Sequence, residues 1–232
     1  MKTTAFVLVC VLICAVSLAG NPMKIATVKS PDINCKFDSD CKITVNDKAT
    51  NFTLLGTKGS GFLQSRLWPK GEPGMIGANL YAYLYRIDVR EPYGVPGKTP
   101  CITEFTIDFG GPVAALDYNG DGQLEQVFVT TQGGLGSVAP ISANAFDPDG
   151  TKVTFRFSPG VCAGTVRKPG AGQSSFFIGM ASKQAHRVVT ATLKPSLGST
   201  LSVAAWAPLV SSPPGKSAPP SRAPKKPGAR KP

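Results

Sequence analysis

Two long stretches of this chain alternate at every second residue, and that period of two restricts the fold more than any other feature. In NLYAYLYRIDVR, Tyr81, Tyr83, Tyr85, Ile87 and Val89 fall on one side, with Leu80, Ala82, Leu84, Arg86, Asp88 and Arg90 on the other. In CITEFTIDF, Cys101, Thr103, Phe105, Ile107 and Phe109 alternate with Ile102, Glu104, Thr106 and Asp108. A pleated strand sends successive side chains to opposite faces, so both stretches read as strands with one buried face. Further strand candidates lie at 42–45, 52–55, 61–67, 113–117, 124–131, 152–157, 175–180, 187–193 and 200–206. PKGEPG, EPYGVPG, DPDG, KPGAG and KPSLGS punctuate them with the glycines and prolines that turns require. Helical spacing is confined to one candidate turn at 137–145 (SVAPISANA), and no repeat of fixed length suggests a solenoid or propeller. The expected fold is therefore all-β, an antiparallel β-sandwich of jelly-roll or immunoglobulin-like type.

Residues 1–20, MKTTAFVLVCVLICAVSLAG, carry one charge, Lys2, before an apolar run and a small-residue exit, the pattern of a secretory signal peptide. The run is shorter than the roughly 20 residues of a membrane span, and no later segment is apolar enough to cross. The mature chain is thus expected to be soluble, without a transmembrane segment, and secreted, extracellular or periplasmic. Of the 6 cysteines, Cys10 and Cys14 belong to this leader, leaving Cys35, Cys41, Cys101 and Cys162. In an exported chain these read as two disulfides. Sequence leaves three pairings open, of which Cys35 with Cys41 and Cys101 with Cys162 is favoured. Zinc is disfavoured, because there is no CxxC pair and His186 is the only histidine.

Charge separates the body from its C-terminal end. Beyond Trp206 the chain reads APLVSSPPGKSAPPSRAPKKPGARKP, with Lys216, Arg222, Lys225, Lys226, Arg230 and Lys231 and no acid. Proline removes backbone donors and little here can be buried, so residues 208–232 are expected to be a disordered cationic tail. The sandwich is assigned to 21–207. A flexible run of positive charge suits an anionic polymer or cell surface through salt-sensitive attraction. Without interleaved aromatics or a recognition motif, sequence-specific nucleic-acid binding is not expected.

One short region has the chemistry of an ion site. In ALDYNGDGQLEQVFV, Asp117, Asn119, Asp121, Gln123 and Glu125 supply oxygens at alternate positions, and glycines at 120 and 122 let the chain turn sharply. Calcium takes six to eight oxygens at about 2.3 to 2.6 Å, and a cation would relieve repulsion among the three carboxylates. The plainer reading is a tight hairpin, since Asn-Gly and Asp-Gly are strong turn signals by themselves. The run VAALDYNGDGQLEQVFV (113–129) resembles the calcium hairpin of FG-GAP repeats, DxNxDGxxD between two strands, with Glu125 in place of the usual aspartate. That resemblance implies calcium as cofactor on Asp117, Asn119, Asp121 and Glu125. A single match implies no propeller. The turn-rich body otherwise resembles uncharacterised secreted β-sandwich proteins of bacteria.

Catalysis finds little support. His186 lies in SKQAHRVV without a nucleophile elbow, and reads as a surface residue at a strand edge. A polysaccharide hydrolase would need paired carboxylates about 5 to 9.5 Å apart, drawn from Glu72, Glu91, Glu104 and Glu125. Tyr81, Tyr83 and Tyr85 are candidate sugar-stacking residues, although Ile87 and Val89 continue the same side and suggest a core face. The expectation is a secreted, non-catalytic interaction or matrix protein, with a polysaccharide hydrolase as the alternative.

Overall fold

The computed structural model describes residues 20–133, 136–146 and 151–210. The expected signal peptide up to residue 19, residues 134–135, the expected turn at 147–150 and the expected tail from 211 onward lie outside the described residues. Along the described chain run β1 (Asn21–Met23), β2 (Ile25–Lys29), β3 (Asn46–Phe52), β4 (Thr57–Lys58), β5 (Gly61–Leu67), β6 (Tyr81–Asp88), β7 (Tyr93–Gly94) and β8 (Cys101–Asp108). They continue as β9 (Val127–Gln132), β10 (Ser142–Ala145), β11 (Lys152–Cys162), β12 (Gly164–Thr165), β13 (Phe177–Ser182), β14 (His186–Pro195) and β15 (Leu201–Pro208). Apart from one 3-10 turn at Asn34–Lys36, no helix occurs among the described residues.

Two six-stranded sheets form the sandwich, one in the order β1-β10-β11-β8-β14-β15 and the other β2-β9-β13-β6-β5-β3. Pairing within them is antiparallel except between β2 and β9. The all-β sandwich read from the alternation is present, with more strands per layer than the immunoglobulin or jelly-roll outline. A small third sheet, β12-β7-β4, caps one end. Between the layers Leu63, Tyr83, Tyr85 and Ile87 meet Phe105, Ile107, Phe155 and Leu193. Phe105 stacks on Phe155 at 5.7 Å and lies 5.3 Å from Tyr85. Burying each such side chain contributes roughly 1.5 to 3 kcal/mol, so this layer dominates the stability of the body.

The sheets differ in what covers their outer faces. The first sheet is open to solvent there, and β14 alternates between inward Val189, Ala191 and Leu193 and outward Val188, Thr190 and Lys194. The second sheet is buried on both faces. A second core of Ile33, Phe37, Trp68, Leu84, Tyr118, Phe128 and Phe177 covers its far side, built by the irregular chain before β3 and by the hairpin before β9. The expectation of one buried face for the Tyr81–Asp88 strand is therefore corrected: Ala82 and Leu84 are as enclosed as Tyr83 and Tyr85. Gly179 makes this core fit, because it pairs with Phe128 across β9 and β13 and the Phe128 ring lies directly on its Cα.

Further expectations are corrected. Residues 42–45 form no strand; Ile43 and Val45 instead pack, as irregular chain, against the second core. The 113–117 candidate is reduced to isolated bridges, Ala114 to Ala181 and Leu116 to Glu125. The candidate helical turn at 137–145 is overridden by sheet pairing, in which Ser142–Ala145 lies between β1 and β11. In β8 the register slips: Glu104 and Ile102 sit opposite the consecutive Lys194 and Pro195 of β14. This extra residue turns Ile102 inward and leaves Thr103 half-buried.

Two of the four edges, β1 and β2, are short, and the other two lie against the facing layer. The first strands cross from one layer to the other at Lys24, so β1 closes one sheet and β2 the other. On the opposite side β15 faces β3 and β5, where Thr50 Oγ1 donates to Ala204 O at 2.9 Å and Trp206 N donates to Ser65 Oγ at 3.3 Å. Exposed ladders template unwanted strand addition, and these two bonds occupy part of the β15 edge. Both favoured disulfides form, Cys35–Cys41 within the segment over the second core and Cys101–Cys162 between paired positions of β8 and β11. Two disulfides fit a protein held outside the reducing cytoplasm. Among the described residues no helix is long and apolar enough to cross a membrane.

Candidate functional site

The acidic hairpin begins where a backbone bridge between Leu116 and Glu125 closes the loop, with N–H to O distances of 2.9 Å in both directions. Inside it the side chains fold onto the loop's own amides. Asp117 Oδ1 accepts from Gly120 N at 2.7 Å and its Oδ2 from Gly122 N at 3.0 Å. Asn119 Oδ1 accepts from Asp121 N at 3.0 Å, and Asp121 Oδ1 accepts from Gln123 N at 2.8 Å. Glycines 120 and 122 both stand at φ 85°, a conformation that makes their amides available to Asp117 at little steric cost. The Asn-Gly-Asp-Gly run is thus the local cause of the turn.

Burial and charge divide the loop. Tyr118 and Glu125 are 1 % and 5 % exposed, whereas Asn119, Asp121 and Gln123 are open to solvent. The Tyr118 ring lies 4.8 Å from Phe128 and anchors the hairpin in the second core. Glu125 Oε2 accepts from Tyr118 N at 3.2 Å, so the buried carboxylate braces the same anchor. Burial pushes the Tyr118 phenol well above its ordinary value. The Gln123 amide, with help from the Asn119 side chain, holds the Asp121 carboxyl below its own. Lys24 Nζ approaches Gln123 Oε1 at 3.5 Å, and the Lys36 ammonium lies near the open face of Gly120.

Calcium would find suitable donors here, because Asp117, Asp121 and Glu125 keep free lone pairs after these bonds. Yet among the described residues no three His, Cys, Asp or Glu side chains converge as a ligand group. The loop's shape is already satisfied by its own donors, and two lysines offset part of its negative charge. A cavity of about 610 Å³ adjoins the hairpin, walled by Tyr118, Asn119, Lys29, Asp32, Lys36 and Met75 among others.

The other residues singled out from sequence are dispersed. Tyr83 and Tyr85 are 0 % and 1 % exposed and donate their hydroxyls to Gln184 O at 2.8 Å and Trp206 O at 2.7 Å. The expected stacking platform is therefore not formed; only Tyr81 is half-exposed, with Lys70 Nζ 5.8 Å from its ring. Glu104 lies on the outer face of the first sheet beside Lys194 at 3.3 Å and Arg156 at 3.6 Å. Glu125 lies beyond the second sheet. Since stacked sheets are about 10 Å apart, the two stand farther from each other than an acid–base pair needs. Glu72 accepts from Ser39 N at 2.9 Å, and His186 is exposed with its ring 5.4 Å from Trp206.

Sequence reasoning missed a buried ion network on the far side of β6. Asp88, 2 % exposed, receives Arg86 Nη1 at 2.8 Å and Arg90 Nη2 at 2.6 Å. Arg86 also reaches Gln64 at 2.9 Å and Ser174 at 3.2 Å. Burial opposes the Asp88 charge, but the Arg90 hydrogen bonds prevail and its carboxyl stays below the ordinary value. The signal was available: Arg86, Asp88 and Arg90 share one side of a period-two run, and their charges alternate. Comparison of the chain with protein-family models, curated proteins and solved structures finds no match.

Proposed function

We propose that this chain acts outside the cytoplasm as a non-catalytic interaction or matrix protein. Its body is a rigid, cross-linked spacer and its cationic 208–232 segment makes contact with anionic polymers or cell surfaces. One observation carries the reading: Glu104 and Glu125 are occupied with structural partners on opposite sides of the body, while the sequence beyond Trp206 carries six cations and no acid. Deleting residues 211–232, which leaves Pro208 and Leu209 paired with the β14 end, should abolish retention on a heparin or polyglutamate matrix at low salt while leaving the melting midpoint unchanged. Undiminished retention would refute the assignment to the tail.

The hairpin at 117–125 serves the same reading as a surface brace that takes calcium. Its free carboxylate lone pairs and its FG-GAP-like spacing support this role, and extracellular calcium sites can be as weak as about millimolar. A ligand bound only by the folded state raises the unfolding midpoint, by about 2.7 kcal/mol of stability at a hundredfold excess over the dissociation constant. Calorimetric unfolding in millimolar calcium and in chelator tests this directly. Coincident curves would leave the loop as a hydrogen-bonded turn.

A further inference from the structure

A second cavity, of about 470 Å³, lies between the outer face of the second sheet and the chain that leads into β3. Its size is that of a small-molecule site. Ile33, Ile43, Val45, Leu84 and Phe177 give it an apolar wall. Two of its lining residues are polar and nearly sealed, Trp68 at 4 % exposure and Thr130 at 5 %. Trp68 Nε1 and Thr130 Oγ1 are the buried side-chain polar atoms that lack any hydrogen-bond partner among the described residues.

That both belong to residues walling the same cavity is what needs explaining. A buried donor left unmade destabilises a fold, and native chains rarely tolerate it without reason. Neither residue is forced into its place by a missing alternative, since valine would fill the Thr130 site and phenylalanine most of the Trp68 site. Charge narrows the class of partner. Arg66 is the single ionisable residue in the lining, and Asp47 already holds it through two bonds of 2.7 Å, with its guanidinium 4.5 Å from the Phe177 ring. The cavity therefore offers hydrogen bonds without net charge.

We propose that this cavity binds a neutral, largely apolar small molecule carrying a hydroxyl or carbonyl oxygen, which accepts from Trp68 Nε1 and pairs with the Thr130 hydroxyl. The wall is closed over both atoms, so binding requires the covering segment at 30–45 to shift slightly. That segment is clipped by Cys35–Cys41 and carries Ile33 and Phe37, packed rather than paired into either sheet.

Trp68 is one of only 2 tryptophans and serves as its own reporter. Titrating the intact protein with ω-bromooctanol, whose bromine quenches indole emission, should give saturable quenching that leaves the Trp206 signal. The Trp68→Phe variant should lose the saturable part. Thr130→Val should raise the melting midpoint of the free protein, since it removes an unpaired hydroxyl, and yet weaken the alcohol about three- to tenfold. ω-Bromooctanoate should bind more weakly than the alcohol. Linear or absent quenching, saturable quenching that survives Trp68→Phe, or equal affinity in Thr130→Val would overturn the site. Tighter binding of the carboxylate would overturn the neutral class. Should Trp68→Phe fold poorly, the Thr130→Val comparison decides alone.

Discussion

Removing the Cys101–Cys162 bridge by paired alanine substitution should lower global stability by about 4 kcal/mol, and removing Cys35–Cys41 by about 2. The separations are 61 and 6 residues, and the entropy of the unfolded chain restrained by a cross-link grows with the logarithm of the loop. A tenfold longer loop thus adds only about 2 kcal/mol. Location sharpens the contrast. Cys101 and Cys162 face each other on strands that remain paired from Glu104 to Asp108, so the native body should survive loss of the bridge. Cys35–Cys41 instead clips chain that covers the second core, with Phe37 edge-on to Trp68 at 5.4 Å. Its loss should loosen that layer before the sandwich melts. Urea unfolding followed by far-ultraviolet circular dichroism and by tryptophan emission in a Trp206→Phe background distinguishes the two. The long bridge should lower both transitions together, and the short clip should bring the Trp68 transition ahead of the dichroism. Equal losses in the dichroism midpoint, or coincident transitions without Cys35–Cys41, would refute the assignment.

In acid, Asp47 and Asp88 set the slope. Hydrogen bonds from Arg66 hold Asp47 below its ordinary 3.8, and those from Arg90 do the same for Asp88 against burial. Their folded values lie below the unfolded ones, so the stability they contribute is complete above about pH 4 and drains as pH falls through the depressed values. Asp47→Asn should flatten the fall in melting midpoint between pH 5 and pH 2, in units read against the unmodified chain. Gly179→Ala should destabilise by about 1 to 3 kcal/mol in chemical unfolding, since a methyl there meets the Phe128 ring. A neutral outcome would mean that the ring yields freely. Tyr118→Ala should cost about 3 to 5 kcal/mol and Tyr118→Phe under about 1, because the ring rather than the hydroxyl anchors the hairpin.

Legibility in the sequence followed the range of the interactions involved. The stretch 61–67 was readable as a strand to the residue, and β6, β8 and β14 nearly so, because their alternation reports a core that each meets directly. The first two strands left no such mark. They are short edge strands, and their partners Ser142–Ala145 and Val127–Gln132 come more than a hundred residues later. The second core was invisible for a related reason: Ile33, Phe37 and Tyr118 reach it from irregular chain, where no period betrays an inward face. In the acidic loop the spacing of oxygens was plain. What spacing could not convey was that Glu125 turns inward to Tyr118, that Asp117 is occupied by the amides of Gly120 and Gly122, and that two lysines stand nearby.

The crossing of the first strands between layers has a consequence for the order of assembly. Asn21–Lys29 is made before either of its docking sites, which do not exist until residues 127–145 have followed. The seam can close only after most of the body has been delivered, which makes folding a non-local and slow event, on the scale of milliseconds to seconds. Until then the ladders of β9 and β10 stay open to any passing strand, so the interval before Asn21–Lys29 docks is when the chain is most exposed to association with other chains.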